Sequence, residues 1–402
     1  MVDVVLSVAF GYEGNEVIRK LLEDFRDMIN FCIEKALESN VTSYAKLRKL
    51  VYGEWKERWD YSTHFCHSAC RIASSMLKSW RRKVGKGEAK KPPKARKLFI
   101  RFDPQLVKFE GDRLRISIRP RRFVYVQLKY GEYQRKFIEE WRKGKLKVGE
   151  ITMNGEKVIV PFRKEVDLTN PKDWIAIDIN ESNITGVSSK GEFFQLDTSE
   201  VKRIHDAYFE KRRKVQRKVK GRKTRKKLLA KYGSRETNKV RNELHKIANI
   251  IVEKAKQSNC GIILEDLKNI RKHINYGRKM NRRLHSWNFR QLQSYIEYKA
   301  KLNGIPVVYV NPKGSSSHCP ICGEKLAPNG QWSEKLCRKC EIIWNRDVVA
   351  CLNLLKMWGV PFPPKAPESE CGGRFPVTEC LYPVTGNQNG KTRKGVIVWR
   401  RR

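Results

Sequence analysis

Four cysteines are spaced to hold a metal. Cys319-x2-Cys322 is followed, 14 residues later, by Cys337-x2-Cys340. Two such knuckles carry four thiolates to one tetrahedral centre, the coordination Zn²⁺ takes in closed structural sites. Gly323 follows the first knuckle, where a tight turn brings backbone N–H groups toward sulfur. Arg338 and Lys339 sit inside the second and soften its charge. A ribbon this short builds no core of its own, so the metal supplies most of its folding free energy. Four thiolates leave no open position, so its role is structural. A second group, His64, Cys66, His67 and Cys70, reads more simply as a helix that buries Cys66 and Cys70 four residues apart.

Three carboxylates are placed to act together. Asp178 closes the apolar run WIAI, and Glu265 closes GIIL with Asp266 beside it. Side chains alternate along a strand, so only one of Glu265 and Asp266 can share a site with Asp178. Asp347 opens the apolar-periodic segment RDVVACLNLLKMW. Each acid alone has an ordinary reading, as a turn former or as a complement to a helix dipole. Together they have another. Neighbouring strands would set Asp178 beside Glu265, and a helix across that edge would add Asp347. Three carboxylates at one point demand cations, and oxygen-only ligands favour Mg²⁺ or Mn²⁺. Two such ions about 4 Å apart suit in-line hydrolysis of a phosphodiester.

The elements that must position these residues follow from hydrophobic period. WIAIDIN, ITGVSS and EFFQL are three short strands, with Lys190-Gly191 as a turn between the last two. A long helical region covers 199–257, GIILEDL is a buried strand, 287–303 a helix, IPVVYVNP a strand and RDVVACLNLLKMW a helix. This is the order of a ribonuclease-H-like α/β fold. Upstream, residues 2–10 read as one strand. Leu21, Leu22, Phe25, Met28, Ile29, Cys32 and Ile33 open a helical block that spans 15–85. Residues 98–162 read as β throughout, with hairpin turns at Gly111-Asp112 and Asn154-Gly155. The first strand is expected to join that sheet or small barrel, which makes the helices an insertion. After GVPFPPKAP the chain reads as irregular, and Cys371 and Cys380 there receive no role.

Composition indicates the substrate class. Among 402 residues, 85 Lys+Arg stand against 43 Asp+Glu, a formal net charge of +42. Such an excess calls for a polyanionic partner, nucleic acid ahead of an anionic membrane. With 40% hydrophobic residues the chain is not a disordered basic tail. No apolar run approaches the ~18 residues of a membrane span, and MVDVVLSVAF lacks the basic start of a signal peptide. The expectation is a soluble intracellular protein. The charge is concentrated: residues 211–231 hold 13 Lys/Arg and no acid. Lys211, Arg212, Arg213, Lys214, Arg217, Lys218, Lys220, Arg222, Lys223, Arg225, Lys226 and Lys227 are expected on a helical hairpin that contacts phosphates. The linker 81–97 and the Arg-rich strands 113–122 are further phosphate candidates. Trp80, Tyr125 and Trp287 read as core before they read as base-stacking residues.

IAIDIN around Asp178, ILEDL around Glu265 and NRDVVACLN around Asp347 resemble the three motifs of a RuvC-like nuclease. The CPIC…CRKC ribbon precedes the third motif, after LHSWNFRQLQSYIEYKAKLNGIPVVYV and SSSHCPICG. This arrangement, over 174–358, is similar to that of the transposon-encoded TnpB family, relatives of type V CRISPR effectors. The resemblance implies a wedge-like β-barrel whose first strand is residues 1–14, interrupted by a helical recognition lobe at 15–92 and resumed at 93–170. It implies a RuvC-like domain at 171–318, a zinc ribbon at 319–340, a final helix at 341–358 and a basic tail at 359–402. It implies one zinc, two catalytic Mg²⁺ or Mn²⁺ on Asp178, Glu265 and Asp347, and Arg346 at the site edge near the scissile phosphate. The implied partners are a guide RNA from the transposon end, duplex DNA and displaced single-stranded DNA, in a monomer of the prokaryotic cytoplasm or nucleoid. Two positions depart from the family pattern: Asn345 stands for an acid and Val349 for an Asn. The function implied is RNA-guided DNA cleavage; the rivals are a nuclease-inactive regulator on the same scaffold and a strand-joining transposase.

Overall fold

A computed structural model describes residues 2–268, 270 and 275–360. The expected irregular tail, with Cys371 and Cys380, otherwise lies outside the described residues. The chain divides into two compact units, Asp3–Glu165 and one that begins at Val166.

The first unit runs β1 (Val2–Tyr12), α1 (Glu16–Glu38), α2 (Tyr44–Arg58), α3 (Thr63–Val84), β2 (Phe99–Arg101), β3 (Val107–Phe109), β4 (Arg113–Arg119), β5 (Arg122–Lys129), α4 (Glu132–Arg142), β6 (Lys147–Val148), β7 (Thr152–Asn154) and β8 (Lys157–Val166). Its strands are ordered β2-β7-β8-β1-β5-β4-β3, with β6 paired to β8. The first strand therefore lies inside the sheet, and α1–α3 are inserted after it. Asn15 starts α1 by accepting from the Ile18 N–H at 2.8 Å. The helix buries Ile18, Leu21, Phe25, Met28 and Cys32 along one face. Cys66 and Cys70 are buried on α3, with the Cys32 and Cys70 sulfurs 3.7 Å apart, in a core shared with Trp55, Phe65 and Phe102. The second His/Cys group is thus core packing.

One expectation fails here. Residues 98–162 are not β throughout, because α4 interrupts them. EYQRKFIEEWR spaces Tyr133, Phe137 and Trp141 every fourth residue, a helical period. Gln134 Oε1 accepts from the Gly131 N–H at 3.1 Å and fixes the helix start. Phe137 then stacks on Phe162 at 5.5 Å, and Trp141 meets Phe109 edge-on at 4.8 Å.

The second unit runs β9 (Asp173–Ile179), β10 (Asn183–Ser188), β11 (Phe193–Asp197), α5 (Ser199–Lys218), α6 (Arg222–Gln257), β12 (Cys260–Glu265), α7 (Arg278–Ser286), α8 (Phe289–Leu302), β13 (Val307–Val310), β14 (Ala327–Asn329), β15 (Gln331–Cys337), β16 (Ile342–Asn345) and α9 (Arg346–Met357). The main sheet is ordered β11-β10-β9-β12-β13. β10 is antiparallel to β9 and β11, while β12 is parallel to β9 and β13. This is the ribonuclease-H-like arrangement. On one face Ile177 and Leu264 pack with Leu244, Ile251 and Ile296 of α6 and α8. On the other, Ala176 and Ile263 pack with Val349, Leu352 and Leu355 of α9 and with Cys319, Cys337 and Trp344 of the ribbon, whose strands β14–β16 form a separate sheet.

Gly186 in β10 faces the Phe194 ring, and a Cβ there would lie 2.2 Å from it. Gly186→Ala is expected to destabilise this unit by about 1–3 kcal/mol, read as a lower urea midpoint. The double variant with Phe194→Leu is expected to lose less than the sum of the single changes.

Candidate active site and metal centre

The parallel register pairs Ile177 with Leu264, and one step further Asp178, one residue before the end of β9, lies beside Glu265, the last residue of β12. Both lie on the α9 face, two residues beyond Ala176 and Ile263. Asp266 points the other way, where Lys268 Nζ holds it at 3.1 Å. α9 packs on β9, β10 and β12 and brings Asp347 to this edge from its first turn. Asn345 starts that helix, accepting from the Asp347 N–H at 2.9 Å and the Val348 N–H at 3.3 Å. An amide oxygen caps a helix as well as a carboxylate does, which accounts locally for the Asn at this position. Val349 is fully buried in the α9 core.

Several polar residues that the motifs do not single out hold the acids. Asn180 Nδ2 donates to Asp178 at 2.8 Å, and Asn183 Nδ2 to Asp347 at 2.9 Å. Ser315 Oγ lies 3.5 Å from Glu265 Oε1, and Gln293 Nε2 donates to the Glu265 carbonyl at 2.8 Å. Asn353 Nδ2 donates to the Ser315 and His318 carbonyls at 2.6 and 2.8 Å, tying α9 to the chain before the ribbon. The signal that points to such residues is a buried polar side chain inside an apolar helix face, as at Gln293 and Asn353.

Electrostatics marks the edge as one site. Burial first, then the charge of Asp347, pushes Asp178 up to about 7. Burial, then Asp178, pushes Glu265 up to about 8. Arg346, half-buried beside Asp347, opposes both shifts. Cys351 lies fully buried beneath, its Sγ 3.4 Å from the Thr185 carbonyl, and burial raises its thiol. Raised, mutually repelling carboxylates mark a place that gains from a cation. The all-oxygen donor set fits Mg²⁺ or Mn²⁺.

The thiolate group also fits its metal. The sulfurs of Cys319, Cys322, Cys337 and Cys340 all lie within 4.8 Å of one another, and Cys322 and Cys337 are 3.5 Å apart. A tetrahedron with Zn–S bonds of about 2.3 Å has edges of about 3.8 Å. Gly323 takes φ +75°, the left-handed turn expected after the first knuckle. The Glu324 backbone N–H lowers Cys322 to about 7. The cluster can hold a zinc ion.

The basic run straddles the turn between α5 and α6. Its second arm buries Val240, Leu244, Ile247 and Ile251 against the sheet. Lys211, Arg213, Lys214, Arg217, Lys218, Lys220, Arg222, Lys223, Lys226 and Lys227 are exposed, and Arg225 is half-buried. Arg212 departs from the expectation. Its guanidinium turns inward to buried Glu236, which also lies 2.8 Å from His205 Nδ1. Trp287 is half-buried and donates to the Asn180 carbonyl at 3.2 Å, whereas Tyr125 is 51% exposed rather than core.

Known proteins are similar to this chain in sequence and fold. A model of the Cas12f1-like TNB domain matches residues 289–354, from α8 through the ribbon to α9, and one of the uncharacterized protein MJ0013 family matches 21–117. TnpB-like protein MJ0751 of Methanocaldococcus jannaschii is 45% identical over 258 residues, 62% of this chain and 92% of the relative. The chain belongs to the TnpB family. TnpB-like protein MJ1635 of the same organism is 24% identical over 88% of the chain and 84% of its own length. The CRISPR-associated endodeoxyribonuclease Cas12f1 of Sulfoacidibacillus thermotolerans is 37% identical over 27% of the chain and 25% of its own length. The family's fold recurs in a cryo-EM structure of a Cas12f1–sgRNA–target DNA complex, with a TM-score of 0.54 at 13% identity, covering 88% of this chain and 98% of that one.

Two outcomes test the centres. The folded carboxylate pair is raised, so in metal-free protein its contribution to stability is present below about pH 4 and is lost as pH rises through 7 to 8. Mg²⁺ is therefore expected to raise the melting temperature more at pH 8.5 than at pH 6, and Asp178→Asn to reduce that difference. Elemental analysis is expected to return about one zinc per chain, and Cys337→Ser to lower both the zinc content and the melting temperature.

Proposed function

We propose that the chain is an RNA-guided DNA endonuclease with a single RuvC-like site. The observation that carries this reading is the convergence of Asp178, Glu265 and Asp347, from two strands and a helix, on one face of a ribonuclease-H-like sheet. Family membership supports it, as does the similarity to proteins named as CRISPR-associated endodeoxyribonucleases. The three acids would hold two Mg²⁺ or Mn²⁺, which supply an activated water and stabilise the leaving oxygen of the phosphodiester. Asn180, Asn183 and Ser315 orient the carboxylates. Arg346 offers a positive charge to the scissile phosphate.

In this reading a guide RNA from the transposon end pairs with DNA beside a short adjacent motif, and pairing rather than the protein reads the sequence. The exposed cations of α5 and α6 hold backbone. The sheet of the first unit serves as the wedge-like barrel and α1–α3 as the recognition lobe. The zinc ribbon is structural. Among the described residues no helix is long and apolar enough to cross a membrane; the reading places the protein in the cytoplasm or on the nucleoid. The nuclease-inactive alternative lacks support, because all three acids are present and Asn345 performs a capping role.

The test is cleavage of plasmid carrying the guide-matched sequence by the protein–RNA complex in Mg²⁺. Cutting is expected to require the RNA and to fall at least a thousandfold, on the order of losing an essential catalytic group, in Asp178→Ala, Glu265→Ala and Asp347→Ala. RNA-independent cutting, or undiminished cutting by Asp178→Ala, overturns the proposal.

A further inference from the structure

Thr185 lies within β10 and is completely buried, and its Oγ1 has no hydrogen-bond partner among the described residues. A hydroxyl shut away from water without a partner costs free energy. A valine of the same shape would avoid that cost and suit a strand equally well. Other hydroxyls buried in this region are satisfied. Ser188 Oγ accepts from the Glu192 N–H at 3.0 Å, and Thr198 Oγ1 donates to the Glu181 carbonyl at 3.1 Å. The orphaned hydroxyl of Thr185 therefore calls for a partner of another kind.

Its place in the sheet names the candidate. Thr185 is the direct antiparallel partner of Asp178, and such partners share one face of a sheet. Two residues along, the pair Val187 and Ala176 packs against α9, so Thr185 and Asp178 face α9 as well. Cys351 of α9 reaches the same spot. Its Sγ donates to the Thr185 carbonyl at 3.4 Å, and its thiol senses the charges of Asp178, Glu265 and Asp347. That thiol is thus engaged with backbone and does not serve Oγ1. Asn180 holds the Oδ2 oxygen of Asp178 at 2.8 Å. A carboxylate held through one oxygen can still turn about its Cβ–Cγ bond, and a second donor fixes its plane.

We infer that Thr185 is a positioning residue of the cation site: its hydroxyl donates to the Asp178 carboxylate when a divalent cation binds there, and so fixes the plane in which that carboxylate meets the ion. A group outside the coordination shell that orients a ligand strengthens binding. Orientation matters most for Mg²⁺, which demands near-ideal octahedral geometry, and less for Ca²⁺, whose coordination is flexible. Thr185 thereby favours Mg²⁺ over Ca²⁺. The inference rests on the proposed cation site at the three acids and not on RNA guidance.

The test titrates the full chain, stripped of divalent cations other than zinc, with Mg²⁺ or Ca²⁺ and reads affinity from the rise in melting temperature. Thr185→Val removes the hydroxyl and keeps the shape. It is expected to leave the stripped chain at least as stable as the unaltered one, yet to weaken Mg²⁺ binding about tenfold and Ca²⁺ binding less. Thr185→Ser keeps the hydroxyl and loses a methyl group. It is expected to lower the stability of the stripped chain and to retain Mg²⁺ affinity. In the Asp178→Asn background, Thr185→Val is expected to cause no further loss of affinity. Any of four results overturns the inference and leaves the cation site intact: a stripped Thr185→Val chain that is less stable, unchanged Mg²⁺ affinity in that variant, equal losses for Mg²⁺ and Ca²⁺, or a Thr185→Ser chain that binds Mg²⁺ as weakly as Thr185→Val. A further loss in the Asp178→Asn background overturns it too, since Thr185 would then act elsewhere. An unaltered chain whose melting temperature responds to neither cation overturns both.

Discussion

Mutual repulsion among Asp178, Glu265 and Asp347 is the constraint around which the second unit is built. Like charges that share a buried edge raise one another's pKa, because burial removes the water that would screen them. Folding must hold them together against that repulsion. The register of β9 on β12 does so for the first two, since the pairs that precede them in the strands are buried on both faces. A shift by one residue would turn Asp178 and Glu265 into the α6–α8 core and send Ile177 and Leu264 to the α9 face. The repulsion is then relieved only locally, by an amide or hydroxyl at each acid, by Arg346 and by a proton or a cation.

Asp347 needs more support, because it arrives on a helix rather than on the sheet. The chain leaves the sheet at the end of β13 and returns only at α9. A loop of that length carries a closure entropy that hydrophobic contact alone must offset. A metal held by the four cysteines would shorten the effective loop. The cluster also turns one side of the ribbon into core, where Cys319, Cys337 and Trp344 pack with Val349 and Leu352. β16 ends at Asn345, and the same residue caps the helix that presents Asp347. The fit of a metal in the ribbon and the placement of the third acid are therefore one structural problem, and Asn353 closes it from the other end of α9.

How much is legible in the sequence depends on whether a residue announces itself by period. Asp178 and Glu265 stand where apolar runs stop, and Asp347 where a helical period begins, so their common site is legible in the order of residues alone. The strand order and the return of β1 to its sheet follow from the same patterns. α4 is hidden by its neighbours, since a helix of 11 residues between strands is easily assigned their period of two. Asn180, Asn183 and Ser315 are not legible, because a hydrogen-bond donor in a loop or at a strand end has no period at all. Arg212 misleads for a related reason: a run of like charges treats its members as equal, while Glu236, outside the run and on the other arm, singles one out.

The remaining positive charge is not of one kind. Along α5 and α6 the exposed cations follow one another with few exposed rings among them. Such a surface offers charge and little else, so it can hold a phosphate backbone of any sequence. On β4 and β5 the cations are interleaved with rings and placed over their faces. There an arginine spends part of its field on the ring beneath it, which weakens it as a phosphate ligand and favours it as a stacking plane. A net charge of +42 therefore falls on two kinds of surface. Helical exposure suits a phosphate backbone, whereas on β4 and β5 cross-strand pairing lays rings and guanidinium planes along one continuous stripe.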